Sequence, residues 1–216
     1  VEEPEEEPYD PLFLPLSILK IKRRNRQFLR TFGEVLNLPW LKNKTPEDVE
    51  SIHRMLMPSF AGRCVENNDF VSLQEILKRM DVDAGNCDGY TAMHTACETG
   101  NIEMAIQLLT LGATCQVETR FGYTPMHLAI KKKHFDLIKI LIQHGATVTQ
   151  NPVRIGMDLI KAVWAKDYRL VNAWFLAGTN MNQCDYNGRT ALHAAVEKRN
   201  ELMVSKLLQY GATPEV

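Results

Sequence analysis

The sequence predicts an all-α solenoid of about five stacked helix-turn-helix units, each opened by a short hairpin-like finger. Three observations predict it. The stretch Asp88-Gly89-Tyr90-Thr91-Ala92-Met93-His94-Thr95-Ala96 returns 33 residues later as Phe121-Gly122-Tyr123-Thr124-Pro125-Met126-His127-Leu128-Ala129. It returns again, two such periods further on, as Asn187-Gly188-Arg189-Thr190-Ala191-Leu192-His193-Ala194-Ala195, which leaves room for one divergent copy between. A second marker keeps the same register in Gly112-Ala113-Thr114, Gly145-Ala146-Thr147, Gly178-Thr179-Asn180 and Gly211-Ala212-Thr213. A fixed period of this size marks an array whose units cannot bury their apolar faces alone and do so by stacking.

The T-x-x-H core and its period resemble ankyrin repeats. The resemblance implies a unit of two antiparallel helices plus a finger. It sets an ankyrin-repeat solenoid over 59–216, with units at 59–85, 86–118, 119–151, 152–184 and 185–216.

Ahead of the array, residues 1–44 read as a disordered acidic stretch followed by a basic amphipathic linker. The first ten residues hold six acids (Glu2, Glu3, Glu5, Glu6, Glu7, Asp10) and three prolines, a composition that builds no core. Pro11 and Pro15 break the apolar run that follows. Lys20, Lys22, Arg23, Arg24, Arg26 and Arg30 then accompany Ile18, Ile21, Phe28, Leu29 and Phe32 at helical spacing. The favoured reading of Lys20–Arg30 is a solvated helix docking its apolar stripe; a contact with a membrane surface or an acidic partner is the alternative. Gly33 to Lys44 reads as loop, with Leu36, Leu38 and Trp40 as docking residues. A lead-in helix spans 45–58. Thr45 caps it, Pro46 sits where its missing N–H costs nothing, and Glu47 and Asp48 face the positive helix end. Pro58 is expected to end it.

Within the array, Thr91 is an N-cap and Pro125 a first-turn residue. Ala96, Ala129, Ala162 and Ala195 are small where adjacent helices approach. Leu108-Leu109, Leu141-Ile142, Trp174-Phe175 and Leu207-Leu208 are the apolar faces of the second helices. The first unit departs from the pattern, with Gly62 in the His slot and Cys64 in the Ala slot, as a terminal cap should. The fourth departs more. Met157-Asp158-Leu159-Ile160 replaces the T-x-x-H core, Ile155 takes a Gly slot, and Asn151-Pro152 disfavours a regular finger. An aromatic surface is expected there around Trp164, Tyr168 and Trp174.

The chemistry points to binding. Apolar residues make up 45% and the net charge is −1, so a core can form and no global charge draws the chain to nucleic acid. No apolar run reaches the ~18 residues of a spanning helix. Val1 opens an acidic stretch without an initiator Met or export signal, which reads as a fragment. The five cysteines are odd in number and lack C-x-x-C spacing, which favours a reducing, cytoplasmic setting over a disulfide framework. No nucleophile elbow, P-loop or dinucleotide fingerprint occurs. The repeated histidines fit backbone-bonding roles in the T-x-x-H slot better than a metal site, so no metal and no cofactor is expected.

The finger tips carry Tyr90, Arg120, Phe121, Tyr123, Tyr186 and Arg189. Aromatic and arginine side chains are enriched at binding hot spots, so these six are the candidate protein-binding residues on the concave face. The plainer reading of Tyr90 and Tyr123 is that they cover the unit below.

Three further stretches carry a narrower resemblance: Arg54-Met55-Leu56-Met57-Pro58-Ser59-Phe60-Ala61, the fourth unit from Gly156 through Leu170, and Trp174-Phe175-Leu176-Ala177-Gly178 running into Tyr186–His193. Together they resemble the C-terminal ankyrin region of animal cytosolic L-asparaginases, over roughly Ser51 to Val216. The resemblance implies a parent protein that hydrolyses L-asparagine with threonine nucleophiles in a separate N-terminal domain. No residue of this chain matches those nucleophile loops, so no catalytic role carries over, and a fused asparaginase domain is one possible partner. A free-standing ankyrin adaptor is the other reading.

Overall fold

The computed structural model describes residues 46–214. The acidic opening, the basic segment Lys20–Arg30, the residues Leu36, Leu38 and Trp40, and Thr45 lie outside those residues. Among the described residues ten helices follow one another in five pairs. They are α1 Pro46–Glu66 with α2 Phe70–Leu77, α3 Ala92–Thr99 with α4 Ile102–Thr110, and α5 Pro125–Lys132 with α6 Phe135–Gln143. Then come α7 Pro152–Trp164 with α8 Tyr168–Leu176, and α9 Ala191–Glu197 with α10 Glu201–Gln209. None of these helices is long and apolar enough to cross a membrane. The fold is the expected all-α repeat solenoid.

Helices this short are marginal alone and depend on caps and packing. Thr91 and Thr124 accept the backbone N–H of His94 and His127, and Thr190 holds the same extended N-cap conformation. Asp69, Asn101, Asp167 and Asn200 do the same for the second helices of their units. Each intervening turn needs one left-handed residue: Asn68, Gly100, Lys133, Lys166 or Arg199. In the second unit that residue is glycine, and a Cβ on Gly100 would lie 2.5 Å from the His134 ring, which would have to shift. Ala96, Ala129, Ala162 and Ala195 are all buried, as their register demands.

The first helix differs from expectation. Pro58 does not end it: α1 runs unbroken through Pro58 to Glu66, merging the lead-in with the first helix of the array. An interior proline costs about 3 kcal/mol. The buried run Pro58, Ala61, Cys64 and Val65, docked on α3, offsets that cost.

The first helices α1, α3 and α5 pack side by side, and α7 packs on α9. Between the third and fourth units the contact runs through α8, which lies against both α5 and α6. Trp174 of α8 holds the register of Leu108, Leu141 and Leu207 and reaches the His127 ring edge-on at 5.4 Å. It is only 2% exposed, so it is core and does not belong to the expected aromatic surface. Trp164 is exposed as expected, and the half-buried Tyr168 donates its hydroxyl to Asn200 at 3.0 Å.

Candidate functional site

The fingers are tight turns rather than strands. In the second, third and fifth units the backbone repeats one pattern. Gly89, Gly122 and Gly188 donate to Asn86, Thr119 and Asp185 at 2.7, 2.8 and 3.0 Å, each with a positive φ. The same three acceptor residues donate back to Tyr90, Tyr123 and Arg189 at 3.1, 2.9 and 2.9 Å. This places residues 90, 123 and 189 in one register at the root of each finger, directly before the first helix.

Neighbouring fingers are tied together. The Arg120 backbone N–H donates to the Asp88 carbonyl at 2.8 Å, and its guanidinium pairs with the Asp88 carboxylate at 3.3 Å. The fourth unit has no finger, because α7 starts at Pro152. There the Arg154 guanidinium takes over and donates to the Phe121 carbonyl at 2.7 Å.

The histidines tie this layer down. His94 Nδ1 accepts from the Thr91 backbone N–H at 3.1 Å, which leaves Nε2 to donate to the Tyr123 carbonyl at 3.0 Å. His127 instead donates from Nδ1 to the Gln150 side-chain carbonyl, and Gln150 donates on to the Gly122 carbonyl at 3.1 Å. His193 keeps the bond to Thr190 at 2.9 Å but is exposed, since no finger among the described residues covers it. Burial lowers the pKa of His94 and His127 from the ordinary 6.5.

Below 6.5 the unfolded chain binds protons that the folded chain resists. Stability is therefore full above 6.5 and falls as pH drops toward the depressed folded values. Urea unfolding at about pH 7.5 and about pH 5.5 should give a lower midpoint at the acid value, and equal midpoints would contradict it.

The six finger-tip residues separate into two groups. Phe121 is 57% and Tyr186 76% exposed, and Arg120 lies over the Phe121 ring at 5.5 Å. Tyr90, Tyr123 and Arg189 are half-buried and turn toward their own first helix. The Tyr90 hydroxyl donates to the Glu98 carboxylate, which Lys132 also pairs at 3.1 Å. The Tyr90 bond and then Lys132 hold Glu98 below the usual carboxylate range, against the opposing effect of burial. Arg189 pairs with Glu197. Tyr123 instead has two cations over its ring, Arg154 at 4.4 Å and Lys131 at 5.4 Å. Sequence reading places Lys131 in a small basic spot, Lys131-Lys132-Lys133, with a solvated face as the default, and misses Glu98, Arg154 and Glu197. The signal was present, since the pairs 90/98, 123/131 and 189/197 share one spacing.

No three His, Cys, Asp or Glu side chains converge to hold a metal among the described residues. Burial raises the Cys64 thiol to about 12 and pushes Cys97 and Cys115 up as well, so these stay protonated at neutral pH.

Comparison with known families decides the classification. A model described as ankyrin repeats (3 copies) matches residues 62–152, and an ankyrin repeat model matches residues 187–216, together more than half of the chain. This chain belongs to the ankyrin-repeat family. The stretch between the two matches is the fingerless fourth unit of the ankyrin array. Among characterised proteins, the array is similar to an L-asparaginase of Dirofilaria immitis, 29% identical over 81% of this chain and 30% of the relative. It is similar to the putative ankyrin repeat protein FPV244 of Fowlpox virus, 28% identical over 67% of this chain and 21% of that one. It is also similar to the probable 26S proteasome regulatory subunit p28 of Saccharomyces cerevisiae, 31% identical over 57% of this chain and 56% of that protein. The chain thus spans less than a third of the first two. Ankyrin repeats are protein-interaction modules.

Proposed function

We propose that this array is a non-catalytic, cytoplasmic module that binds a protein partner through its finger tips and first helices. The observation that carries the reading is the exposure of Phe121 and Tyr186, 57% and 76%, at the tips of fingers whose roots are pinned by hydrogen bonds. Rigid aromatic side chains on a pinned frame lose little entropy on binding. The cytoplasmic assignment is supported by five unpaired cysteines, three of them buried.

The test uses peptides selected on this chain from a displayed random library. Phe121→Ala with Tyr186→Ala should weaken them about tenfold or more, the range of hot-spot truncations. Thermal stability should hold, since neither side chain is core. Peptides that bind the double variant as tightly as the parent would overturn the reading.

A second reading rests on the alignment over 81% of the chain with the Dirofilaria immitis L-asparaginase. Here the array is the C-terminal portion of an asparaginase-like protein whose catalytic domain lies outside these residues. An antibody raised to residues 59–216 should then detect a native protein much larger than 24.6 kDa. A band at that mass would favour a free-standing adaptor.

A further inference from the structure

The second unit contains its own template for holding a carboxylate. Glu98 sits between the Tyr90 hydroxyl and Lys132, whose ammonium lies 3.1 Å away. In the fifth unit Arg189 and Glu197 make the corresponding pair. The third unit keeps the tyrosine, Tyr123, but carries Lys131 where the other two carry glutamate. The position therefore has its donors and lacks its acceptor. No protein hydrogen bond joins the Tyr123 hydroxyl among the described residues.

The missing fourth finger adds a second cation at the same place. Arg154 is anchored by its 2.7 Å bond to the Phe121 carbonyl and lies over the Tyr123 ring at 4.4 Å. Lys131 lies over that ring at 5.4 Å. Neither forms an ion pair among the described residues. Three carboxylates of the same face already have partners: Glu98 is held by Tyr90 and Lys132 and also feels Lys131, Asp88 pairs with Arg120, and Asp158 pairs with Lys161 at 3.5 Å. Two like charges on one ring, neither in an ion pair, repel each other, and an incoming anion relieves that.

We propose that Tyr123, Lys131 and Arg154 bind the carboxylate of an aspartate or glutamate side chain on the partner. The partner is an acidic peptide segment whose adjoining apolar residue meets Phe121, which is 57% exposed beside this cluster. A peptide fits better than a nucleic acid. Binding a phosphate backbone recruits many cations along a continuous stripe, whereas this cluster is local and bordered by Asp88, Glu98 and Asp158. The inference rests on the concave-face reading and names the chemistry of its partner.

The test is fluorescence anisotropy with a labelled peptide repeating Leu-Glu-Gly, compared with one repeating Leu-Gln-Gly. The Glu peptide should bind the 216-residue chain about tenfold more tightly, and the difference should shrink with added salt. Lys131→Gln and Arg154→Gln should each weaken it about fivefold, and Tyr123→Phe a few-fold. Lys139→Gln, on an exposed lysine of α6 paired with Asp136, should change nothing. Lys131 is exposed and makes no structural hydrogen bond, so its variant reads the inference even where Arg154→Gln loosens the finger. Equal binding of the two peptides, or no effect of Lys131→Gln, would overturn the inference. So would a single-stranded oligonucleotide of equal charge binding as tightly, which would assign the cluster to phosphates. The two readings fail separately. Loss of library-selected peptides in the Phe121→Ala, Tyr186→Ala variant, with no preference for Glu over Gln, leaves the surface reading standing and removes only this inference.

Discussion

Trp174→Ala should lower the unfolding free energy by about 3–5 kcal/mol, the range for deleting a large buried aromatic. Trp174 is 2% exposed and is the largest fully buried side chain of the array. Its position makes the loss more than a local cavity. The third and fourth units meet through α8, and Trp174 spans that junction to reach His127 at 5.4 Å. In a solenoid each unit is held only by its neighbours, so weakening one junction uncouples the units on either side. Urea unfolding followed by circular dichroism should therefore show an earlier transition that broadens or splits. Trp174→Phe should cost far less, about 1 kcal/mol, because it keeps most of the ring volume. It also removes an indole N–H that is buried without a hydrogen-bond partner. An alanine variant as stable as the parent would show that the neighbouring helices close the gap.

Gly156→Ala is the second large effect, and its sign runs against helix propensity. Gly156 lies inside α7, where alanine normally gains about 1 kcal/mol over glycine. Here a Cβ would stand 2.4 Å from the backbone carbonyl carbon and oxygen of Cys184 and 3.0 Å from the backbone nitrogen of Asp185, where the chain enters the finger of the next unit. Backbone cannot rotate away as a side chain can, so the two units must separate. Overpacking of this kind costs typically 1–3 kcal/mol and sometimes more. The expected net loss is about 2 kcal/mol, read as a lower urea midpoint and weaker protection of the Cys184–Thr190 bridge region in hydrogen exchange. Gly62→Ala is the internal comparison. Its Cβ would meet the Thr95 hydroxyl at 3.0 Å, a side-chain atom that can move, so its cost should be smaller. A gain in stability on Gly156→Ala would mean that the fourth and fifth units have room to shift apart.

Both variants probe the fourth unit, where local sequence and tertiary structure part company. Its divergence from the pattern was legible: Asn151-Pro152 in place of a finger and no T-x-x-H core. The replacement parts were not. That Arg154 would bond the Phe121 carbonyl, that Gln150 would bond His127, and that Trp174 would turn inward all depend on how far apart two units settle. Propensity and spacing along one segment carry no information about that distance.

Pro58 teaches the same lesson at the other end. Read locally it is a helix breaker, and it lies inside a 21-residue helix. Local preference lost there to the burial of Ala61, Cys64 and Val65 against the second unit. The finger-tip residues divide for a related reason. Tyr90, Tyr123 and Arg189 looked like Phe121 and Tyr186 in composition. Only the fold shows that the first three turn back to their own helices and that the other two stay exposed.

From the sequence alone come the period, the number of units, the caps and the small residues at the stacking positions. Each is a property of one repeat, stated again every 33 residues, so repetition itself confirms it. What only the tertiary structure decided is how unlike neighbours meet. The side chains that bridge the fingerless unit, and the unpaired cations gathered around Tyr123, arise where the repeat breaks, because there contacts between units replace the pattern within them.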